Sequence, residues 1–250
     1  MRTEEYEIMD GLERNHWWFW GKRRILTGMM KSQCSMPPNP KILDIGCGTG
    51  GLLRELDSRG ESYGVDITME ALRFAREKTA APLVIGSAMQ LPFRDNSFDL
   101  ALCCDMLYHR DVEDVTAALK EAARALKTGG WLLITDSAFE SLRSSHDEAM
   151  HTARRFTRAS LRACVEAAGF SVKKLSNTNF FVFPAVWFVR VLLRNIRKPA
   201  GSDVYQPNVV VNAVLKGVMR LEAAMLRGSV SFPVGVSVLC VAHKQREGVR

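Results

Sequence analysis

Three glycines, Gly46, Gly48 and Gly50, follow the apolar run Ile42-Leu43-Asp44-Ile45 and stand just before a helical pattern. Glycine at such places lets the backbone turn tightly and approach a ligand with no side chain intervening. Two acids accompany the loop. Asp44 lies two residues before the first glycine, and Asp66 lies twenty residues beyond it, at the end of the next apolar run. An acid at the second place offers an acceptor to the ribose hydroxyls of an adenosine-containing cofactor. Gly46, Gly48 and Gly51 also satisfy the dinucleotide fingerprint G-x-G-x-x-G, so the glycines alone leave two cofactor classes open.

Asp44 separates the two. A dinucleotide would set its anionic pyrophosphate beside that carboxylate, and like charges repel. S-adenosylmethionine has no phosphate and carries an ammonium and a sulfonium, so an acid at 44 suits it and disfavours NAD. Other reactive side chains fall later in the chain. His109, just past the fourth apolar run, stands where substrate sites open in doubly wound sheets and is a candidate general base, with helix capping as the plainer role. His146 and His151 lie in a polar segment before Arg154-Arg155-Phe156-Thr157, which would present cations to an anionic substrate; His109 and His151 form the candidate catalytic set. Cys103-Cys104 raises the question of a cysteine nucleophile, but the proline that usually accompanies one is missing and buried strand cysteine is common. The six cysteines show no CxxC pairing, so no metal site is expected and a reduced, cytoplasmic setting explains them.

Positioning these residues requires an alternation of short apolar runs and helical patterns, the signature of parallel βαβ units. Strands are predicted at 41–45, 62–66, 82–85, 98–103, 131–136, 170–175 and 235–243, and helices at 50–59, 68–79, 112–127 and 157–168. Asp111 or Asp114 would cap the third of these helices and Thr157 the fourth, while Gly129-Gly130 and Gly169 would stop them. Thr3 to Lys31 reads as helical, with the aromatic cluster His16-Trp17-Trp18-Phe19-Trp20, and the prolines at 37–40 end it. Two apolar helical patterns, roughly 184–197 and 208–227, precede the last strand.

The run Lys41-Ile-Leu-Asp-Ile-Gly-Cys-Gly-Thr-Gly-Gly51 resembles the first motif of class I S-adenosylmethionine-dependent methyltransferases. Further matches follow in order: Tyr63-Gly-Val-Asp66, Gly86-Ser-Ala-Met-Gln-Leu-Pro-Phe93, Asp95-Asn-Ser-Phe-Asp99 and Cys104-Asp-Met-Leu-Tyr-His109. The resemblance implies a Rossmann-like α/β fold, with a seven-stranded, mostly parallel sheet, helices on both faces and an antiparallel last strand. It further implies that Asp44, Gly46 and Gly48 line the methionine portion, with Cys47 beside them. Asp66 would hold the ribose hydroxyls, with Ile67 adjacent. Ser87 and Ala88 would face adenine, with Met89 following, and Cys104 and His109 would lie beside the sulfonium and the substrate. Relatives usually carry Asp where Ser87 stands; a neutral hydroxyl accepts more weakly. The amino-terminal segment is similar to a subset with a His-Trp-Trp-Phe-x-x-Arg helix over the cofactor, which adds Trp18 and Lys22 to the cofactor set. Lys22 stands where the arginine is expected, and lysine meets a carboxylate without a bidentate fork.

The whole chain is read as one domain: a helical lid over 1–40, a cofactor-binding core over 41–176, a helical insertion over 177–233, and the last strand with its tail over 234–250. Met1 to Asp10 is acidic and no apolar run follows, so no signal peptide is expected. Charge is divided along the chain: residues 1–142 hold 17 Lys+Arg against 21 Asp+Glu, and residues 143–250 hold 17 against 6. The basic second half suggests an anionic partner. Phe180 to Leu193 is too short to span a bilayer, which takes about 20 residues. Arg190, Arg194, Arg197 and Lys198 share one helical face there, which fits either a pocket wall or a peripheral membrane contact through 180–198. The expected activity is methyl transfer by in-line displacement to a small-molecule or lipid-linked acceptor. Two rivals stay open: a cofactor-binding partner subunit without catalysis, and an RNA methyltransferase. The second lacks a recognisable RNA-binding module, so no nucleic-acid partner is expected.

Overall fold

The computed structural model, which describes residues 3–192 and 206–245, turns the apolar runs of the sequence into one seven-stranded sheet. In chain order the elements are α1 (Thr3–Glu13), α2 (Trp17–Gln33), β1 (Lys41–Ile45), α3 (Leu53–Leu56), β2 (Glu61–Asp66), α4 (Met69–Arg76), β3 (Leu83–Ile85), β4 (Phe98–Cys104), α5 (Val115–Ala125), β5 (Leu126–Ser137), α6 (Ser145–Ala149), α7 (Arg158–Ala167), β6 (Phe170–Thr178), α8 (Phe183–Trp187), α9 (Val209–Arg227) and β7 (Ser237–Lys244). The strand order is β3-β2-β1-β4-β5-β7-β6. Only β7 runs against its neighbours, pairing antiparallel with β5 and β6. The doubly wound sheet and its antiparallel last strand are as the resemblance implies.

Ile42, Leu43 and Ile45 of β1, like Leu100 to Cys103 of β4, are buried on both faces, as parallel strands under two helical layers must be. One apolar core lies between the sheet and α5 and α7, around Leu43, Leu119, Leu161 and Cys240. The other lies under α2, α3, α4 and α9, around Leu26, Met29, Leu53, Leu72 and Leu226. α2 is therefore as much a layer of the fold as a lid. Its carboxyl half is buried from Ile25 to Met30, and only its first turns reach the ligand end of the sheet.

Several boundaries differ from expectation. The single helix predicted over Thr3–Lys31 is broken at residues 14–16. His16 caps the second piece, its side chain accepting from Trp18 N–H at 3.3 Å. The joint is held from outside, because Asn212 of α9 accepts from Trp17 N–H and donates to the Asn15 carbonyl, both at 2.9 Å. Asp114, not Asp111, caps α5, accepting from Thr116 and Ala117 N–H. That helix ends at Ala125, so Gly129-Gly130 lie inside β5 and take up its irregular register against β4. Thr157 caps α7 with Ser160 as its reciprocal partner, and Gly169 follows it at φ +90°. Of the helix predicted over 184–197, α8 and a π-helical turn at Phe188–Leu192 form the described part; Arg194, Arg197 and Lys198 lie outside the described residues.

Candidate active site

The carboxyl ends of β1, β2, β4 and β5 open into a cleft of about 1700 Å³, covered by α1 and the start of α2 and flanked by α8 and the start of α9. That exceeds the few hundred cubic ångströms of a single small-ligand pocket, so there is room for two reactants.

Gly46, Gly48 and Gly50 all have positive φ, at +72°, +54° and +82°. A Cβ at Gly46 would stand 2.8 Å from that of Met106, and one at Gly50 would stand 2.8 Å from the Ala75 backbone. Gly46 and Cys47 N–H both donate to the Val65 carbonyl, at 2.8 and 3.0 Å, fastening the loop to β2. Asp66 completes the turn. Its carboxylate accepts from Gly48 N–H at 2.9 Å and from the Thr68 N–H and hydroxyl, both at 3.0 Å. Tyr6 of α1 reaches the same threonine hydroxyl at 2.9 Å, so α1 is tied through Thr68 to the acid that ends β2.

Asp44 lies beneath this loop, 2% exposed, and its Oδ1 has no hydrogen-bond partner. Burial, with Asp66 and Glu13 adding like charge, pushes its carboxyl up to about 8. A buried acid in this state lacks a cation, and one delivered beside it would restore its ionised form. Lys22 of α2 does not fill that role. It pairs with Asp105, which follows β4 at φ +53°, and its Nζ stands 5.8 Å from the Trp18 ring and 5.9 Å from that of Phe19. Burial brings the Lys22 ammonium down to about 8.

Trp18, Lys22, Asp44, Gly46, Cys47, Gly48, Asp66, Ile67, Ser87, Ala88, Cys104 and His109 all line the cleft. Met89 and His151 are not among its lining residues. Met89 packs against the core while its N–H donates to Ser87 Oγ at 3.1 Å. His151 sits at φ +52° with its ring 5.7 Å from that of His109, and His146 lines the cleft nearby. His109 Nδ1 accepts from Asp111 N–H at 3.3 Å. The same Nδ1 stands 3.4 Å from the Asp111 carboxylate, so both the backbone and the side chain of Asp111 orient the ring. Burial lowers its pKa against the opposing Asp111 carboxylate.

The arginines expected to present cations are engaged within the fold. Arg154 donates to the Leu107 and Val112 carbonyls at 3.0 and 2.6 Å, and Arg155 forms a bidentate, nearly fully buried pair with Asp147 at 2.8 and 3.0 Å. Burial raises the thiols of both Cys103 and Cys104, which removes the thiolate a covalent mechanism needs. Among the described residues no cluster of His, Cys, Asp and Glu could hold a metal.

Sequence reasoning missed Tyr6, Asp105 and Asp136. Asp136, fully buried on β5, accepts from Leu107 N–H and Ser137 N–H, both at 2.8–2.9 Å, and so fixes the loop that carries His109. Burial holds its carboxyl up at about 7. The only signal for it was an acid at a strand end.

Residues 43–134 match the family model for the methyltransferase domain. Over that stretch, from β1 into β5, the chain is similar to a methyltransferase domain. Among curated relatives, a demethylmenaquinone methyltransferase of Staphylococcus aureus is 41% identical over 110 residues, covering 41% of this chain. The matched part spans 45% of that relative's length. A Haloferax volcanii chain solved in complex with the Trm112 methyltransferase activator superposes with a TM-score of 0.64 at 21% identity, over 99% of this chain and 97% of that one. A Haemonchus contortus phosphoethanolamine N-methyltransferase, solved with S-adenosyl-L-methionine, gives 0.58 at 21% identity over 89% and 52%. These likenesses establish the fold of the methyltransferase domain over nearly the whole described chain.

Proposed function

We propose that the chain transfers a methyl group from S-adenosylmethionine to a small-molecule or lipid-linked acceptor. One observation carries the reading: the buried Asp44 carboxyl, with an unpartnered oxygen, sits beneath a glycine loop whose backbone is already turned for close approach. That arrangement fits a cationic, phosphate-free cofactor. Asp44 and the glycine loop would hold its methionine portion, Asp66 its ribose, and Ser87 and Ala88 its base. Lys22 would exchange Asp105 for the cofactor carboxylate.

S-adenosylmethionine supplies a methyl group on a sulfonium, already activated for in-line displacement. The residues of this chain supply position and a dry site. Tyr6, Met9, Trp17 and Trp18 cover the cleft and exclude water. Asp136 and Arg154 together hold the loop from Met106 to Val112, which fixes where an acceptor rests. Val186, Val189, Val211 and Leu215 give the acceptor end an apolar wall. With Arg154 and Arg155 engaged, that wall favours an apolar acceptor over an anionic one. The relative named for demethylmenaquinone supports a lipid-linked acceptor. The site we infer is cytoplasmic and peripheral, with the segment from 180 meeting the membrane surface.

Calorimetric titration tests the reading. S-adenosylmethionine and S-adenosylhomocysteine should both bind; NADH binding without either would overturn it. Release of S-adenosylhomocysteine on incubation with a cell extract distinguishes an enzyme from a non-catalytic partner subunit.

A further inference from the structure

α9 has three apolar strips, and the core uses one. Met219, Ala223 and Leu226 are buried against α2 and the sheet. Val211 and Leu215 turn to the cleft. Val210, Val214 and Leu221, spaced i, i+4 and i+11, form a third strip that is 73%, 61% and 55% exposed. At the end of α8 and in the following turn, Trp187, Phe188 and Val189 are also exposed, and Val189 lines the cleft as Val211 does. Exposed apolar residues on two elements that both border the cleft mark a contact surface.

Within the segments that carry these exposed residues, the exposed charges have one sign. Glu222 is the only acid among residues 180–192 and 206–228, and it is fully buried, accepting from the Phe180 N–H. Arg190, Lys216, Arg220 and Arg227 are the bases of the same stretches. Lys216 and Arg220 lie over the Trp20 ring at 6.0 and 5.6 Å, on the flank of α9 beside its outer strip. A second copy of the chain seated here would bring two basic flanks together. An anionic headgroup layer would complement them, and a tryptophan at the rim suits that interface. Among the described residues no helix is long and apolar enough to cross a membrane, so the contact would lie on the bilayer rather than span it.

We propose that the outer strip of α9, with Trp187, Phe188 and Val189, docks the protein on an anionic lipid bilayer with the cleft mouth turned to the headgroups. An acceptor with a long apolar tail then enters between Val189 and Val211 while its tail stays in the membrane. This deepens the proposed methyltransferase reading, because it names how a lipid-linked acceptor arrives. It extends the membrane contact from the segment after 180 to a second helix.

The test is co-sedimentation of the full chain with phosphatidylcholine vesicles, with and without phosphatidylglycerol. Wild type should partition onto the phosphatidylglycerol vesicles, and Val210→Glu with Val214→Glu should lower that partition at least about tenfold. Both positions are exposed, so the variant should keep the wild-type melting temperature and S-adenosylmethionine affinity. No partition by wild type, or equal partition by the variant, would overturn the inference. So would a dimer in analytical ultracentrifugation that the double variant abolishes while vesicles are ignored. Cofactor titration on the same samples keeps the two readings apart: vesicle binding without cofactor binding defeats the methyltransferase proposal and leaves the docking surface standing.

Discussion

Burial gives the Asp44 carboxyl a higher proton affinity in the fold than in the unfolded chain, which makes the stability of the fold depend on pH. Its carboxyl is raised from the usual carboxylate range to about 8, mainly by burial. The native state therefore binds more protons than the unfolded state between roughly pH 4 and pH 8, and the stability this group contributes falls as pH rises through that window. Asp136, raised to about 7 by burial, contributes a parallel decline. Asp44→Asn should flatten part of the decline, leaving the ligand-free variant on the order of 1–3 kcal/mol more stable than wild type near pH 9, by urea unfolding. The same change should weaken S-adenosylmethionine at least about tenfold, by calorimetry, since it removes the anion opposite the ligand's cations. Asp66→Ala should weaken it roughly 10- to 100-fold and also free Gly48 N–H. Asp44 and Asp66 were legible in the sequence because their positions relative to the glycines are set along one chain segment. Asp105 and Asp136 were not, since their partners Lys22 and Leu107 come from distant elements.

At the scale of elements, apolar runs flanked by glycine marked the strands because a strand covered on both faces must be apolar nearly throughout. The break between α1 and α2 was hidden by the continuous aromatic pattern over it. Beside the local cap at His16, a tertiary contact holds the break, the two hydrogen bonds made by the Asn212 side chain. Asn212→Ala should cost about 1–3 kcal/mol by leaving Trp17 N–H and the Asn15 carbonyl without their partner. Amide exchange should quicken from Asn15 to Phe19, and cofactor affinity should drop with it; unchanged exchange there would show that the lid is held by α2 packing alone. The bidentate pair of Asp147 and Arg155 was likewise invisible, and its arginine was read as a substrate ligand. Although burial opposes ionisation, the Arg155 guanidinium holds the Asp147 carboxyl below its usual range. Asp147→Asn should destabilise the fold by about 3–5 kcal/mol, because a buried guanidinium would lose its counter-charge.

Over the whole molecule, part of the basic surplus read from the sequence can be located among the described residues. The arginines nearest the cleft are engaged with carbonyls and Asp147, whereas Lys216, Arg220 and Arg227 lie along α9. Composition reveals such a surplus without telling which of its members the fold has already used. The sheet order could be anticipated only through the resemblance, since no local signal says that β7 inserts between β5 and β6. That insertion has a consequence for how the protein is made. β5 and β6 each keep an unpaired edge until β7 arrives, about sixty residues after the end of β6. At a synthesis rate of roughly 5–20 residues per second, the nascent chain spends several seconds with two strand edges still lacking the partner that joins them. During that interval the growing polypeptide is a natural client for ribosome-associated chaperones, and its yield on expression should depend on their supply more than on the stability of the finished fold.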